Sequence, residues 1–286
     1  MINKRQLTLV IIVGLIFSLT SCLSHKDPFD QYYFQALGDE NKLVVTTTEI
    51  SSINLESLIS DENLIKRIER ISIEIDDWEN KESSFRGAIE GKIPATITNA
   101  VLNKTEGWEK VVYPDKLATY KNEQLNLELV APKKNLLLFA NDNFYEHLQK
   151  TYKSRQLKIE LEKAKLMGGA MFGFYIASPQ TMIELGLEIP KSALLQSESL
   201  LVYITKENLL GSIITMKSER LASSLSILLK SSYISEKRRN KEELGDLEGL
   251  FTLEENRVIV KNLPVKASEV EDLSNFFLNA TIGNWR

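Results

Sequence analysis

Few residues in this chain could do chemistry, and their spacing limits what they could do. The chain has one cysteine, Cys22, and two histidines, His25 and His147, which are far apart in the sequence. A thiolate can act as a nucleophile or metal ligand, and an imidazole can act as a general acid or base. A single cysteine cannot form an intramolecular disulfide or a zinc site with several cysteine ligands. The chemistry must therefore be sought at Cys22 itself or among the carboxylates.

The densest acidic patch comprises Glu74, Asp76, Asp77 and Glu79. Carboxylates suit Ca²⁺, but the alternation of Asp, Asn and Gly that is typical of an EF-hand loop is missing. We therefore interpret the patch as a solvent-exposed strand end and predict no metal site. His147 is expected on a helix as a surface or half-buried residue, and the spacing supports no Ser-His-Asp triad. We predict no catalytic residue, no cofactor and no enzymatic activity.

The start of the chain combines basic residues, an apolar run and a small residue before the cysteine. Lys4 and Arg5 precede the apolar run Leu7–Leu19. This run is too short for a bilayer core, which needs about 20 predominantly apolar residues. The run ends in Leu19-Thr20-Ser21-Cys22. This stretch resembles the signal peptide and lipobox of bacterial lipoproteins.

The resemblance implies that residues 1–21 are a signal peptide and that cleavage leaves Cys22 with a diacylglyceryl group and an acylated amino group. Several acyl chains, each buried CH₂ contributing roughly 0.8 kcal/mol, make such attachment effectively permanent. Residues 22–39 are then a lipidated tether. The expected location is the cell envelope, on the periplasmic or outer face of a bacterial membrane, and Leu23 after the cysteine favours the outer membrane. The alternative is an uncleaved N-terminal membrane helix.

Composition indicates a globular body and excludes one class of partner. The 286 residues are 43% hydrophobic with a formal charge of −4, and removal of Lys4 and Arg5 makes the remainder more acidic. A nucleic-acid binder needs a basic face, so nucleic acid is not an expected partner. The basic run Lys237-Arg238-Arg239 is expected in a solvated loop, with contact to anionic headgroups as the alternative.

Strand-like and helix-like segments recur in the same order in two halves of the chain. The predicted strands are Leu43–Thr48, Ile71–Ile75, Phe85–Gly91, Leu125–Leu129, Leu136–Ala140, Ala170–Ala177, Leu200–Thr205, Leu210–Met216, Gly249–Leu253 and Arg257–Val260. The predicted helices are Asn63–Glu69, Ala95–Trp108, Asp142–Tyr152, Ser178–Leu187, Glu219–Tyr233 and Lys266–Leu278. The order repeats at an interval of about 125 residues.

We therefore predict an α+β fold of two tandem similar units, residues 40–152 and 170–286. Each unit is expected to be an antiparallel sheet with helices on one face, a ferredoxin-like variant. Residues 153–169 are expected to form a helical linker that continues the preceding helix and ends at Gly168-Gly169. This plan resembles poorly characterised families of exported bacterial proteins with duplicated ferredoxin-like halves. The likeness carries no motif, so it implies no site residue.

Together these observations predict a lipid-anchored envelope protein with a non-enzymatic binding or scaffolding role. Its partners would be the membrane, through the N-terminal lipid, and a protein or small-molecule ligand at the seam between the halves. Two alternatives stay open. One is an envelope hydrolase whose site is assembled only in three dimensions, and the other is a surface-exposed adhesin.

Overall fold

The computed structural model describes residues 32–50, 62–76, 84–114, 117–154, 156–178 and 195–266, together with Ser268 and Val270. The chain divides into two units, Met1–Tyr32 and Tyr33–Arg286. The fold given below is that of the second unit.

Within the described residues, twelve strands form one sheet. Their bounds are β1 Leu43–Thr47, β2 Ile68–Ile75, β3 Phe85–Gly91, β4 Glu109–Val112, β5 Ala118–Asn122, β6 Leu127–Lys133, β7 Leu136–Ala140, β8 Phe172–Ala177, β9 Ser197–Ile204, β10 Leu209–Met216, β11 Phe251–Glu254 and β12 Arg257–Pro264. They lie side by side in the order β11-β12-β10-β9-β8-β1-β2-β3-β7-β6-β5-β4. Every neighbouring pair is antiparallel.

The strand order is symmetrical about the central pair β1 and β8. Strands β2, β3, β7 and β6 follow on one side, and β9, β10, β12 and β11 follow on the other. Counted outward from the centre, the first three strands of each half follow chain order: β1, β2 and β3 on one side, and β8, β9 and β10 on the other. The last strand of each half in the sequence, β7 or β12, then pairs with the third strand. The two halves therefore share one plan, although the first half has two additional strands, β4 and β5, at its edge.

Helices cover both faces of this sheet. The described helices are a 3₁₀ turn at Tyr33–Ala36, α1 Glu62–Ile65, α2 Ala95–Leu102, α3 Phe144–Leu148, a π turn at Gln149–Lys153, α4 Leu161–Gly169, α5 Glu219–Arg239 and α6 Leu247–Leu250. Helix α5 begins at an N-cap, Ser218, whose hydroxyl accepts a hydrogen bond from the Leu221 N–H.

One face of the sheet, which we call the core face, carries the two largest apolar clusters. Leu43 of β1 lies opposite both Ile75 of β2 and Ile176 of β8, so these side chains share one face. In the first half this face packs with Leu102 of α2, and in the second half with Leu225 of α5. The core face is thus continuous across both halves.

The opposite face, which we call the strap face, is more polar. Its apolar cluster joins Tyr33 with Leu136 and Leu138 of β7 and with Phe144 and Leu148 of α3. Near the middle of the sheet, charged residues of β2 and β3 occupy this face instead. These charged residues form the candidate functional site.

The predicted α+β class is confirmed as a mixture of helices with a large antiparallel sheet, but its arrangement differs from the prediction. Strands β1 and β8 pair directly, so the two halves share one sheet instead of forming two. Strands β1 and β2 are antiparallel neighbours, whereas a ferredoxin-like unit needs a split βαβ crossover. Helices were expected on one face only, and they cover both.

Several element bounds also differ from the predicted ones. The strands Phe85–Gly91 and Leu136–Ala140 match the prediction residue for residue. The predicted linker helix is not continuous, because residues 156–160, just before α4, are not helical, although α4 does end at Gly169. Strands β4 and β5 were not predicted, since their polar side chains hide the alternation.

The basic run was predicted wrongly as a loop. Lys237, Arg238 and Arg239 lie in the last turn of α5, where cations favour the negative end of the helix dipole. Most of the predicted helices Ser178–Leu187 and Lys266–Leu278 lies outside the described residues. Among the residues that the structure does describe, no helix is long and apolar enough to span a bilayer.

Candidate functional site

The segment Tyr33–Asp39, which we call the strap, is fastened to the middle of the sheet by two buried glutamates. The backbone N–H of Tyr33 donates to Oε1 of Glu90 on β3 at 2.8 Å. The backbone N–H groups of Gly38 and Asp39 donate to Oε2 of Glu74 on β2, the latter at 3.1 Å. Gly38 has φ +102°, a conformation that favours glycine, so both amides can point at one carboxylate.

A second set of hydrogen bonds ties the strap to the residues before α4. The carbonyl oxygen of Gln35 accepts from the backbone N–H groups of Lys158 and Ile159, at 2.7 and 3.1 Å. The side-chain amide of Gln35 donates to the Ile159 carbonyl at 3.1 Å. Both Gln35 and Ile159 are buried. The strap is therefore held from the sheet side and from the helix side.

Two arginines neutralise the buried carboxylates. Arg86 contacts Glu74 at 2.8 Å and Asp39 at 2.7 Å. Arg70 contacts Glu90 at 3.1 Å. Burying a carboxylate is costly unless it is paired and hydrogen-bonded, and both conditions are met for Glu74 and Glu90.

Arg70 links three elements through its guanidinium. Besides its ion pair with Glu90, it donates to the Gly168 carbonyl near the end of α4 at 2.6 Å. The same group lies over the Phe34 ring, 5.5 Å from the ring centre. Strap, sheet and α4 thus meet at one side chain, which makes Arg70 a positioning residue for the strap.

Register explains why the charges match. Strands β2 and β3 carry the same pattern, Arg70-x-Ser72-x-Glu74 and Arg86-x-Ala88-x-Glu90. Because the strands are antiparallel, Arg70 lies opposite Glu90 and Arg86 lies opposite Glu74. Opposite charges directly across a strand pair stabilise the pairing. The sequence analysis did not identify these two arginines, although the repeated Arg-x-x-x-Glu pattern at period two was a usable signal.

The electrostatics of the site follow from burial and pairing. Burial raises the pKa of Asp39, but Arg86 and then Lys158 outweigh this and hold it below its usual range. Burial raises the pKa of Glu90, and the Arg70 charge and the Tyr33 amide offset this only in part. Burial disfavours the charged form of Arg86, but Glu74 and Asp39 raise its pKa above the ordinary value.

The strap borders a polar cavity of about 160 Å³ that we call the ion-pair cleft. Its walls come from the end of the strap, the residue before β1, the adjacent ends of β2 and β3, and the segment that contains α3 and the π turn. They comprise Asp39, Lys42, Glu74, Asp76, Ser84, Phe85, Arg86, Asp142, Asn143, Glu146 and Lys150. The pKa of Glu146 is lowered, mainly by its hydrogen bond to Lys150. The pKa of Asp39 is likewise lowered by a cation, Arg86. Asp39 and Glu146 are therefore better suited to forming ion pairs than to donating protons.

The predicted acidic patch is divided by the structure. Glu74 is 1% exposed, so its interpretation as part of a solvent-exposed strand end was wrong. Asp76 is exposed and lies 3.6 Å from Lys42. Asp77 and Glu79 lie outside the described residues. In the part of the chain that is described, no three carboxylate, imidazole or thiolate side chains are grouped as a metal site would require.

His147 is fully buried, not on the surface or half-buried as predicted. Its Nε2 lies 3.0 Å from the Gly87 carbonyl oxygen, and its Nδ1 lies 2.9 Å from the Thr151 hydroxyl. Because a carbonyl can only accept, Nε2 carries the proton and Nδ1 accepts from Thr151. Burial, the largest cause, lowers the pKa of His147 to about 3. The imidazole is a neutral packing and hydrogen-bonding group.

A buried lysine–serine pair lies on the strap face of the second half. Lys163 of α4 donates to Oγ of Ser199 at 2.9 Å, and both residues are buried. The carboxylate of Glu160 lies 3.5 Å from the same ammonium. Lys163 thus joins a strand hydroxyl to a carboxylate at the start of its own helix.

The sequence-predicted site residues Leu19, Thr20, Ser21 and Cys22 lie outside the described residues. The lipobox and the lipidation of Cys22 therefore stay predictions. The seam between the halves is closed by the pairing of β1 with β8. On the strap face, Gly38 lies close to both Ile159 and Tyr175 of β8.

Comparison with known proteins identifies the class. Residues 39–271 match a family model described as "Outer membrane-associated lipoprotein TP0453". The class is therefore that of membrane-associated lipoproteins of the cell envelope, in agreement with the predicted location. Because the match spans most of the chain, the protein belongs to the TP0453 family. No curated protein matches the chain in sequence.

Solved structures show the same fold. Crystal form I of TP0453 is 13% identical with a TM-score of 0.54, and the match covers 87% of this chain and 97% of that one. Crystal form IV is 15% identical with a TM-score of 0.54, covering 86% and 96%. Crystal form III is 14% identical with a TM-score of 0.52, covering 86% and 97%.

Proposed function

We propose that this chain is anchored by lipid at Cys22 and that its folded unit acts as a non-enzymatic binding or scaffolding body in the envelope. The observation that carries the proposal is the strap. Tyr33, Gly38 and Asp39, in the last part of the predicted tether, donate backbone hydrogen bonds to carboxylates at the centre of the sheet, where a fixed attachment is most resistant to fraying. A scaffold at a membrane needs such a firm link between its anchor and its body.

We propose further that partners engage the ion-pair cleft. Lys42 lies directly before β1 and Asp39 ends the strap, so the cleft reaches the end of the seam where the sequence analysis placed a ligand. More of its side chains are acidic than basic, which favours a polar partner segment that carries positive charge. The symmetrical strand order supports an origin of the two halves by duplication.

The hydrolase alternative is less well supported by the geometry. Acid–base hydrolysis needs one carboxyl group that is protonated near neutral pH. In the cleft the pKa values of Asp39 and Glu146 are lowered, and Glu74 lies between the strap amides and Arg86. His147 contacts a carbonyl and a threonine rather than a serine and an aspartate.

The anchor is tested by detergent phase partition of the protein from its native membrane. We expect the wild-type protein to enter the detergent phase with a mass that begins at an acylated Cys22. The Cys22→Ala variant should keep its signal peptide or become water-soluble, whereas Ser24→Ala, the matched control two residues away, should behave as wild type. An unacylated wild-type protein that keeps residues 1–21 would contradict the anchor.

The binding role is tested by pull-down of the acylated protein from native membranes. We expect the partners recovered with the wild type to be lost with Asp76→Asn combined with Asp142→Asn, because both side chains line the cleft and both are exposed. The matched control, Glu69→Gln with Glu123→Gln, changes exposed acids outside the cleft. Equal recovery with both double variants would exclude the cleft as the binding site.

A further inference from the structure

A cavity of about 590 Å³, larger than the ion-pair cleft, lies between α4 and the outer strands of the second half. We call it the α4 cavity. It shares no lining residue with the ion-pair cleft. Leu161 and Leu166 of α4 form one wall, and Leu161 is 50% exposed at the margin. Pockets of roughly 300–1,000 Å³ with a mainly apolar lining are typical of small-molecule sites.

The floor of the α4 cavity is apolar and belongs to the strap face of β9, β10 and β12. Ile213 of β10 lies opposite Ile259 of β12, and both are buried. Tyr203 of β9 lies opposite Gly211 of β10 and covers it, because a Cβ on Gly211 would lie 2.2 Å from the tyrosine Cζ atom. The floor crosses two strand spacings, so it is about 10 Å wide.

The acidic residues at the margin of the α4 cavity are neutralised. The Arg257 guanidinium contacts Glu162 of α4 at 3.1 Å and Glu254 of β11 at 3.4 Å. Lys165 and Lys261 also line the cavity, and neither forms an ion pair with any residue that the structure describes. Three cations and two carboxylates thus surround the cavity, which leaves one positive charge without an anionic partner.

The Tyr203 hydroxyl provides an uncharged donor at the same cavity. Within the described part of the chain it has no hydrogen-bond partner. Burial raises the pKa of Tyr203, so the hydroxyl keeps its proton near neutral pH. A bound anion could therefore accept hydrogen bonds from this hydroxyl and from a lysine ammonium.

From these observations we propose that the α4 cavity binds a compact organic carboxylate with an apolar ring body. The ring body would lie on Ile213, Ile259 and Tyr203, and the carboxylate would pair with Lys165 or Lys261. Charge complementarity selects the sign of the ligand. A floor about 10 Å across matches a ring body better than an extended chain. This site is independent of the partner binding proposed at the ion-pair cleft.

Titration calorimetry tests the proposal on the chain from residue 22 onward, which contains every residue that the structure describes. The probes are naphthalene-2-carboxylate, the neutral naphthalene-2-carboxamide and the cationic naphthalen-2-ylmethylammonium, which share one ring body. We expect the carboxylate to bind about 10-fold more tightly than the carboxamide, because charge-assisted hydrogen bonds are the stronger ones. The ammonium compound should bind most weakly. Equal affinities for the three probes, or no binding of the carboxylate, would overturn the proposal.

Two exposed lysines outside the cavity supply a matched control for the charge. Lys165→Gln combined with Lys261→Gln should weaken carboxylate binding about 10-fold and leave carboxamide binding unchanged. Lys134→Gln combined with Lys206→Gln removes the same charge elsewhere and should leave both affinities unchanged. Carboxylate binding that is equal in the two double variants would contradict the site.

Tyr203→Phe tests the floor with little effect on folding, since it removes a hydroxyl that has no hydrogen-bond partner among the described residues. We expect about threefold weaker carboxylate binding with an unchanged Tm. Asp76→Asn combined with Asp142→Asn should bind the carboxylate as wild type does, which separates this site from the ion-pair cleft. Dodecanoate binding more tightly than naphthalene-2-carboxylate would overturn the proposal, because the occupant would then be an extended chain.

Discussion

His147 should make the folded unit sensitive to mild acid, and replacing it should remove that sensitivity. The imidazole is fully buried, and its pKa is lowered from 6.5 to about 3. A base whose pKa falls on folding stabilises the fold above its unfolded pKa, and this stabilisation is lost as pH falls toward the folded pKa. The affected window for His147 is therefore pH 6.5 down to about 3.

The magnitude follows from the two pKa values. Each pKa unit corresponds to 1.36 kcal/mol, so the complete loss is roughly 5 kcal/mol, and about 2 kcal/mol of it is reached by pH 5. Glu90 acts in the opposite direction, because its pKa is raised on folding and its protonation favours the folded form. Asp39, whose pKa is lowered, contributes mainly at still lower pH. The difference between wild type and a His147 variant cancels both effects.

The assay is urea unfolding at about pH 7.5 and about pH 5, followed by tryptophan fluorescence, for which the buried Trp108 is a reporter. We expect the wild type to lose about 2 kcal/mol more than His147→Gln between the two pH values. The matched control is His25→Gln, which changes the second of the two histidines and lies in the predicted tether. An equal loss in wild type and His147→Gln would show that His147 is not the acid-sensitive group.

Three further predictions concern stability, each read as the free energy of unfolding. Gly87→Ala should cost about 1–3 kcal/mol, because a Cβ there would lie 2.3 Å from a ring carbon of Phe139 and from the Ser72 carbonyl oxygen. The control Gly169→Ala should cost nothing, because no atom lies within 4 Å of its Cβ position. Equal costs for the two variants would contradict the close packing around Gly87. Glu74→Ala should cost about 3–5 kcal/mol, because it leaves the Gly38 and Asp39 amides without their acceptor and removes one of the two carboxylates that pair with the partly buried Arg86. The exposed Glu69→Ala should cost less than about 0.5 kcal/mol, and a similarly small cost at position 74 would contradict the attachment of the strap through Glu74. Ser218→Ala should cost about 1 kcal/mol through loss of the helix cap, and an unchanged stability would show that the cap is not used.

Local pattern determined individual elements of this fold. Phe85–Gly91 and Leu136–Ala140 could be predicted to the residue, because apolar residues bounded by turn residues specify a strand locally. The leucine spacing after Glu219 likewise predicted the start of α5, and the structure adds its N-cap, Ser218. By contrast, β4 and β5 lie at the sheet edge, where polar side chains replace the apolar alternation.

The sheet as a whole was decided by pairing. A strand that is buried on both faces can pair with many other strands, so the sequence of β1 alone does not show that it lies between β2 and β8. Because β1 pairs with β8, the two halves form one sheet and not the two that were predicted. Because β1 also pairs with β2, the strands follow chain order and not the ferredoxin-like order. Non-local pairs of this kind are set by the total burial of the fold, which no window of sequence contains.

The candidate site also combines features that the local sequence determines with features that only the tertiary structure determines. The sequence by itself determined that Arg70 and Glu74, and likewise Arg86 and Glu90, share one face of their strands, because side chains alternate at period two. Only the tertiary structure decided that each arginine lies opposite a glutamate and that the strap amides complete the pairing. A charged residue on a strand is exposed or buried according to what packs above it, and here the strap, distant in sequence, buries the glutamates.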